Sequence, residues 1–124
     1  MTKDPKISIV DDDQAIRCAT ASLLRSYGFV TNTFESAEEF LQSPHLHDTS
    51  CLISDVQMPG MTGPELQTRL LELGSPVPII FVTAFPDDRI GKKVKDAGAI
   101  AFLRKPFEST VIVECVGKAL KSAC

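Results

Sequence analysis

Cys51-Leu52-Ile53-Ser54-Asp55-Val56-Gln57-Met58-Pro59-Gly60-Met61 is a short apolar run that ends on a carboxylate and runs straight into a Pro-Gly turn. The run is too short for a helix and has the length of a buried strand. Pro59-Gly60 turns the chain just beyond it. Asp55 therefore stands at the carboxyl end of a strand, the side on which open α/β sheets place their ligand crevice.

The flanking sequence repeats this design. Upstream, Ile7-Ser8-Ile9-Val10 is a β-branched run that ends on Asp11-Asp12-Asp13, with Asp13 placed to cap a helix. From Gln14 to Tyr27, residues Ile16, Thr20, Leu23, Leu24 and Tyr27 fall on one helical face, and Gly28 supplies the stop. Phe29 to Phe34 reads as a strand. Ser36, with Glu39 three residues on, reads as a capping box before a short helix that buries Phe40 and Leu41. Ser43 to Ser50 is a polar loop, and its His45 and His47 are expected to have no role. Downstream, Pro64 suits the first turn of a helix with Leu66, Leu70 and Leu73 inward, ended by Gly74-Ser75-Pro76. Val77 to Val82 has the composition of a strand buried on both faces, and it ends on Thr83. Asp87-Asp88 precede a helix with Ile90, Val94 and Ala97 inward, closed by Gly98. Ile100 to Leu103 is the fifth strand, ending at Arg104-Lys105-Pro106. Phe107 to Ser122 is the last helix, with Val111, Ile112, Cys115, Val116 and Ala119 on its core side.

Strand followed by helix, five times over, predicts a (βα)5 doubly wound five-stranded parallel sheet with right-handed crossovers: a flavodoxin-like three-layer α/β sandwich. The 124 residues suit one domain, read here as spanning 1–124, with enough chain to bury a core. A content of 44% hydrophobic and 23% charged residues is that of an ordinary globular protein, and a formal charge of −3 argues against general attraction to nucleic acid or anionic membrane. No apolar run approaches the roughly 20 residues that span a bilayer, and Ile7 to Val10 is too short for a signal-peptide core, so a cytoplasmic location is expected. Cys18, Cys51, Cys115 and Cys124 have neither C-x-x-C nor zinc-finger spacing and are expected as free thiols.

In a parallel sheet all carboxyl ends lie on one edge. That edge would receive Asp11 and Asp12 from the first strand, Asp55 from the third, Thr83 from the fourth and Lys105 from the fifth. Carboxylates crowded together repel, so one has a raised pKa unless a cation neutralises them. Mg²⁺ suits this set, because it takes one or two carboxylates, keeps several waters and leaves room for a phosphate. Each residue alone has a plainer reading: Asp11 to Asp13 as helix caps, Asp55 as a turn residue, Thr83 as a cap, Lys105 as a solvated lysine. Their joint arrival at one edge favours chemistry.

Four motifs then resemble, in order, those of the receiver domain of two-component response regulators, the CheY-like family: Ile9-Val10-Asp11-Asp12-Asp13, Ser54 to Gly63, Val82-Thr83-Ala84 and Lys105-Pro106-Phe107. The resemblance covers essentially the whole chain, and the first and last motifs are similar to those of FixJ-like transcriptional regulators. It implies that Asp55 accepts a phosphoryl group from the phosphohistidine of a sensor histidine kinase. Asp11, Asp12, Asp55 and the Gln57 backbone carbonyl would hold Mg²⁺, Lys105 would pair with a phosphoryl oxygen, and Thr83 would donate to another. It further implies a cis Lys105-Pro106 bond and a switch in which the Thr83 hydroxyl and Phe102, where many members have Tyr, move together. The output face would be the helix after Thr83, the fifth strand and the last helix, with a phosphorylation-dependent homodimer and no nucleic acid contact or membrane contact by this domain. The chain would be a phosphoacceptor rather than an enzyme.

Two departures from the family stand out. Gln57 and Phe85 occupy positions that tune hydrolysis in the family, and a bulky Phe85 obstructing the attacking water implies slow self-dephosphorylation; decay as fast as in small chemotaxis receivers would contradict that. FixJ-like regulators carry a C-terminal DNA-binding domain for transcription regulation that this sequence does not include, so the chain is read as either a stand-alone receiver or an excised domain, with the excised domain favoured. Two rivals compete. A haloacid-dehalogenase-like phosphatase would use Asp11 as nucleophile and Asp13 as acid/base, but no acidic pair follows Lys105 and no cap insertion exists. A pseudo-receiver that only binds partners would have no need of an intact acidic set.

Overall fold

The computed structural model describes residues 5–122. Five strands, β1 (Lys6–Val10), β2 (Val30–Phe34), β3 (Cys51–Asp55), β4 (Ile79–Thr83) and β5 (Ala101–Arg104), alternate with α1 (Gln14–Ser26), α2 (Ala37–Leu41), α3 (Gly63–Glu72), α4 (Asp88–Asp96) and α5 (Ser109–Ser122). All neighbouring strands are parallel, in the order β2-β1-β3-β4-β5. This is the doubly wound α/β sheet that the five strand-helix repeats predict. Its order reverses between β1 and β3, where such sheets open a crevice.

Alternation along the strands divides the interior into two cores. Ile7, Ile9, Ile53, Ile80 and Val82 face one side and pack with Ala21 and Leu24 of α1 and Ile112, Val116 and Ala119 of α5. Val10, Leu52, Phe81 and Ile79 face the other, against Phe40 of α2, Leu66 and Leu70 of α3 and Val94 of α4. β3 and β4 are buried at every position, whereas β2 at the edge is half open to solvent. Burying a side chain such as Phe81 contributes about 2–3 kcal/mol.

Several local expectations need correction. Tyr27, read as part of the inward face of α1, is 52% exposed, and Leu73, read as inward in α3, is 51% exposed. Both lie just past the last helical residue, where the chain leaves the helix axis. Ala97 is likewise exposed after α4. α1 turns Arg17, Thr20, Ala21 and Leu24 inward. Ser36 accepts from the Glu39 backbone N–H, as a helix cap does. The reciprocal capping box, however, is at α3: Thr62 Oγ1 accepts from Glu65 N, and Glu65 Oε1 accepts from Thr62 N. Ser43 to Ser50 contains a 3-10 turn, Pro44–Leu46. Cys18, Cys51 and Cys115 are free thiols, whereas Cys124 lies outside the described residues. No helix among the described residues is long and apolar enough to cross a membrane.

Candidate functional site

Strand register brings the acidic residues together. Val10 pairs with Ser54, so the next residues, Asp11 and Asp55, emerge side by side from β1 and β3. Asp55 in turn pairs with Val82, and Thr83 with Arg104, which places Lys105 one step beyond. The Lys105 N–H donates to the Thr83 carbonyl at 2.7 Å and fixes that step.

The side chains converge accordingly. One carboxylate oxygen from each of Asp11, Asp12 and Asp55 lies within 4.8 Å of the others. Lys105 Nζ donates to Asp11 Oδ2 at 2.9 Å and sits 3.5 Å from Asp55 Oδ1. Asp11 is 2% exposed and Asp55 7%, whereas Asp12 faces solvent. One ammonium thus bridges two of the three carboxylates, and Asp12 has no ion pair among the described residues. Burial, followed by the neighbouring Asp11 charge, pushes the Asp55 carboxyl up to about 6, and Lys105 only partly opposes the rise.

The donor set suits a hard cation. It is all oxygen, and it carries an excess of negative charge in a poorly solvated place. Its spacing is comparable with the roughly 4.2 Å between opposite ligands of an octahedral Mg²⁺ at ~2.1 Å. The Gln57 carbonyl accepts no hydrogen bond among the described residues and is available as a further ligand.

The loop after Asp55 is held from two sides. Gly60 turns with φ +77°, and the Met61 N–H donates to Glu38 Oε2 at 3.1 Å. Gly63 starts α3 against the strand end: a Cβ there would collide with the Asp55 carbonyl oxygen and reach Phe81 Cε1 at 3.0 Å, so only glycine allows this approach.

Thr83 is fully buried, and its Oγ1 accepts from the Phe85 N–H at 3.0 Å, leaving the hydroxyl proton uncommitted to that bond. The Phe102 ring lies against Gly91 of α4, where an added Cβ would sit 3.1 Å from Phe102 Cδ1. The Lys105-Pro106 peptide is cis. An apolar groove of about 530 Å³ opens beside Lys105, between Ile16, Ala19 and Leu23 of α1 and Pro106-Phe107. Asp13 caps α1 by accepting from Ile16 N at 3.2 Å, which is a commitment at odds with an acid/base role for it. His45 and His47 lie by the 3-10 turn between α2 and β3, away from these residues.

Sequence reasoning missed Arg17. It reads as a polar helix residue, yet it is 8% exposed, and its Nη1 donates to the Asp11 carbonyl at 2.8 Å. A cation six residues after Asp11, in the first turn of the helix that follows the acidic run, was the only available signal.

Known proteins resemble this chain in sequence and fold. The response regulator receiver domain family matches residues 7–117. Response regulator protein TodT of Pseudomonas putida is 41% identical over 117 residues, which cover 94% of this chain and 52% of TodT. Transcriptional regulatory protein FixJ of Bradyrhizobium diazoefficiens is 36% identical over 123 residues, which cover 99% of this chain and 60% of FixJ. The chain thus spans roughly half to three fifths of these relatives. The crystal structure of FixJ-N superposes with a TM-score of 0.87 at 36% identity, covering 97% of this chain and 96% of that one. The chain belongs to the response regulator receiver domain family, the receiving module of two-component signalling.

Proposed function

We propose that Asp55 is the phosphoacceptor of this receiver domain and that the Asp11–Asp12–Asp55 cluster binds the Mg²⁺ needed for transfer. Receiver domains are generally signalling proteins that histidine kinases phosphorylate and that bind Mg²⁺. The observation that carries the reading is Lys105 Nζ, 2.9 Å from Asp11 Oδ2 and 3.5 Å from Asp55 Oδ1, beside three carboxylates.

At neutral pH Asp55, at about 6, is mostly ionised and able to attack. One of its oxygens forms a bond to phosphorus as the P–N bond to the donor imidazole breaks. The electron pair leaves with the imidazole nitrogen, which takes a proton from solvent. Such transfers rest on positioning and electrostatics. Held by the carboxylates of Asp11, Asp12 and Asp55 and the Gln57 carbonyl, Mg²⁺ would offset charge on the phosphoryl oxygens. Lys105, already bridging two carboxylates, turns to a phosphoryl oxygen, and the free Thr83 proton is donated to another. Thr83 leaving its bond with Phe85 N–H, and Phe102 leaving its place against Gly91, would carry the signal to α4 and β5 as a shift between two states. Dimerisation through that face, and control of a DNA-binding output domain as in FixJ-like regulators, complete the proposal.

Incubation with acetyl phosphate tests it. Intact mass should gain one phosphoryl group with Mg²⁺ and none with EDTA, and Asp55→Asn should abolish the gain. A phosphatase acting through Asp11 would retain labelling in that variant, and a pseudo-receiver would show none in the wild type.

A further inference from the structure

We propose that Arg17 is a positioning residue for the divalent cation: its buried guanidinium holds the Asp11–Asp12 peptide and so aims the exposed Asp12 carboxylate. This rests on the reading of Asp11, Asp12 and Asp55 as Mg²⁺ ligands.

Taking a guanidinium out of water is expensive unless it is well partnered. Arg17 has thin compensation. Nη1 donates to one carbonyl, that of Asp11, at 2.8 Å, and Nη2 lies 3.8 Å from Oε1 of Glu35, whose side chain is 75% exposed. A cation tucked in on such terms needs another reason to be there, and the group it holds supplies one.

Every polar group of Asp11 is tied. Its N–H donates to the Phe34 carbonyl at 3.2 Å, and its carbonyl accepts from Arg17. Oδ1 accepts from the Asp13 N–H at 2.9 Å, and Oδ2 from Lys105 at 2.9 Å. Asp12 is the opposite case. It is exposed, and its side chain makes no hydrogen bond or ion pair among the described residues. Its position is therefore inherited from its backbone. The peptide unit is planar, so fixing the Asp11 carbonyl fixes the N–H and Cα of Asp12 as well. Arg17 is the side chain that does this, from within the first turn of α1. Groups that orient metal ligands in this way typically change metal affinity by about 10–100-fold when removed.

The test is calorimetric titration of Mg²⁺ into wild type, Arg17→Met, Arg17→Lys, Glu35→Gln and Asp12→Asn, with thermal melts in EDTA. Arg17→Met should bind Mg²⁺ about tenfold more weakly, the low end of that range. Arg17→Lys, which keeps the charge but loses the planar fork, should fall between Arg17→Met and wild type. Glu35→Gln should stay near wild type. A purely structural role predicts a lower melting temperature in EDTA with unchanged Mg²⁺ affinity of the folded protein, and that result overturns the proposal. If Arg17→Met does not fold, Arg17→Lys decides: binding weaker than wild type supports the proposal, and equal binding overturns it. Wild type without Mg²⁺ binding, or Asp12→Asn binding like wild type, refutes the cation site itself and the inference with it.

Discussion

Two lysine–aspartate pairs of the same length sit at opposite edges of the sheet. At the amino-end edge Lys6 Nζ lies 2.9 Å from Asp48 Oδ2, with side chains 34% and 39% exposed. At the carboxyl-end edge Lys105 Nζ lies 2.9 Å from Asp11 Oδ2, with side chains 10% and 2% exposed. In the first, every neighbouring group favours the carboxylate: the Lys6 hydrogen bond holds Asp48 below the usual carboxylate range, and His45 Nδ1, 3.5 Å from Asp48 Oδ1, acts in the same direction. The second differs. Lys105 is shared with Asp55, Asp12 adds a third negative charge, and burial pushes Asp55 up to about 6. Distance alone therefore says little about an ion pair. Where water is excluded, the balance of charge decides, and here it is short of positive charge in a way that a divalent cation would correct.

Breaking each pair should expose this contrast. Lys105→Met should have the largest effect, destabilising the metal-free protein at pH 8 by about 3–5 kcal/mol, since it strands buried carboxylates. Urea unfolding should show a smaller loss near pH 5, where Asp55 binds a proton. The pH dependence itself comes next. The folded-state pKa of Asp55 lies above its ordinary 3.8. Its contribution to stability is therefore complete below about pH 4 and lost as pH rises through about 6. That loss amounts to about 1–3 kcal/mol in EDTA. Asp55→Asn should flatten the slope, and Mg²⁺ should restore stability above pH 6 in wild type only. Gly63→Ala, which crowds the Asp55 carbonyl, should cost ~1–2 kcal/mol and weaken Mg²⁺ binding by displacing the strand end. Lys6→Met should change stability by less than about 0.5 kcal/mol, with even that masked at high salt. A Lys6 effect as large as that of Lys105 would contradict the contrast.

Much of this was legible in the chain. Periodicity placed all ten elements, because strands such as Ile79–Thr83 and helices such as Gln14–Ser26 carry their patterns locally. That the acidic triad and Lys105 meet follows from topology, since parallel strands deliver their carboxyl ends to one edge. Helix rotation was less legible. Tyr27 and Leu73 continue an apolar stripe in sequence but lie past the helical residues, and solvent there costs an aromatic or leucine too little to leave a mark. The Thr62–Glu65 box was readable as T-x-x-E and was overshadowed by Pro64. Arg17 was hidden for a different reason. Its value lies in one hydrogen bond to a backbone carbonyl, and no pattern of residue types encodes which carbonyl a long side chain will reach.

The most direct test of the acidic centre is to trap its product. After acetyl phosphate and Mg²⁺, borohydride reduces an acyl phosphate to an alcohol and so converts the phosphorylated aspartate to homoserine, which peptide mass spectrometry locates. Conversion at position 55 alone is expected. Conversion at position 11, 12 or 13, or none in a folded protein that binds Mg²⁺, would contradict the assignment of Asp55 as the acceptor.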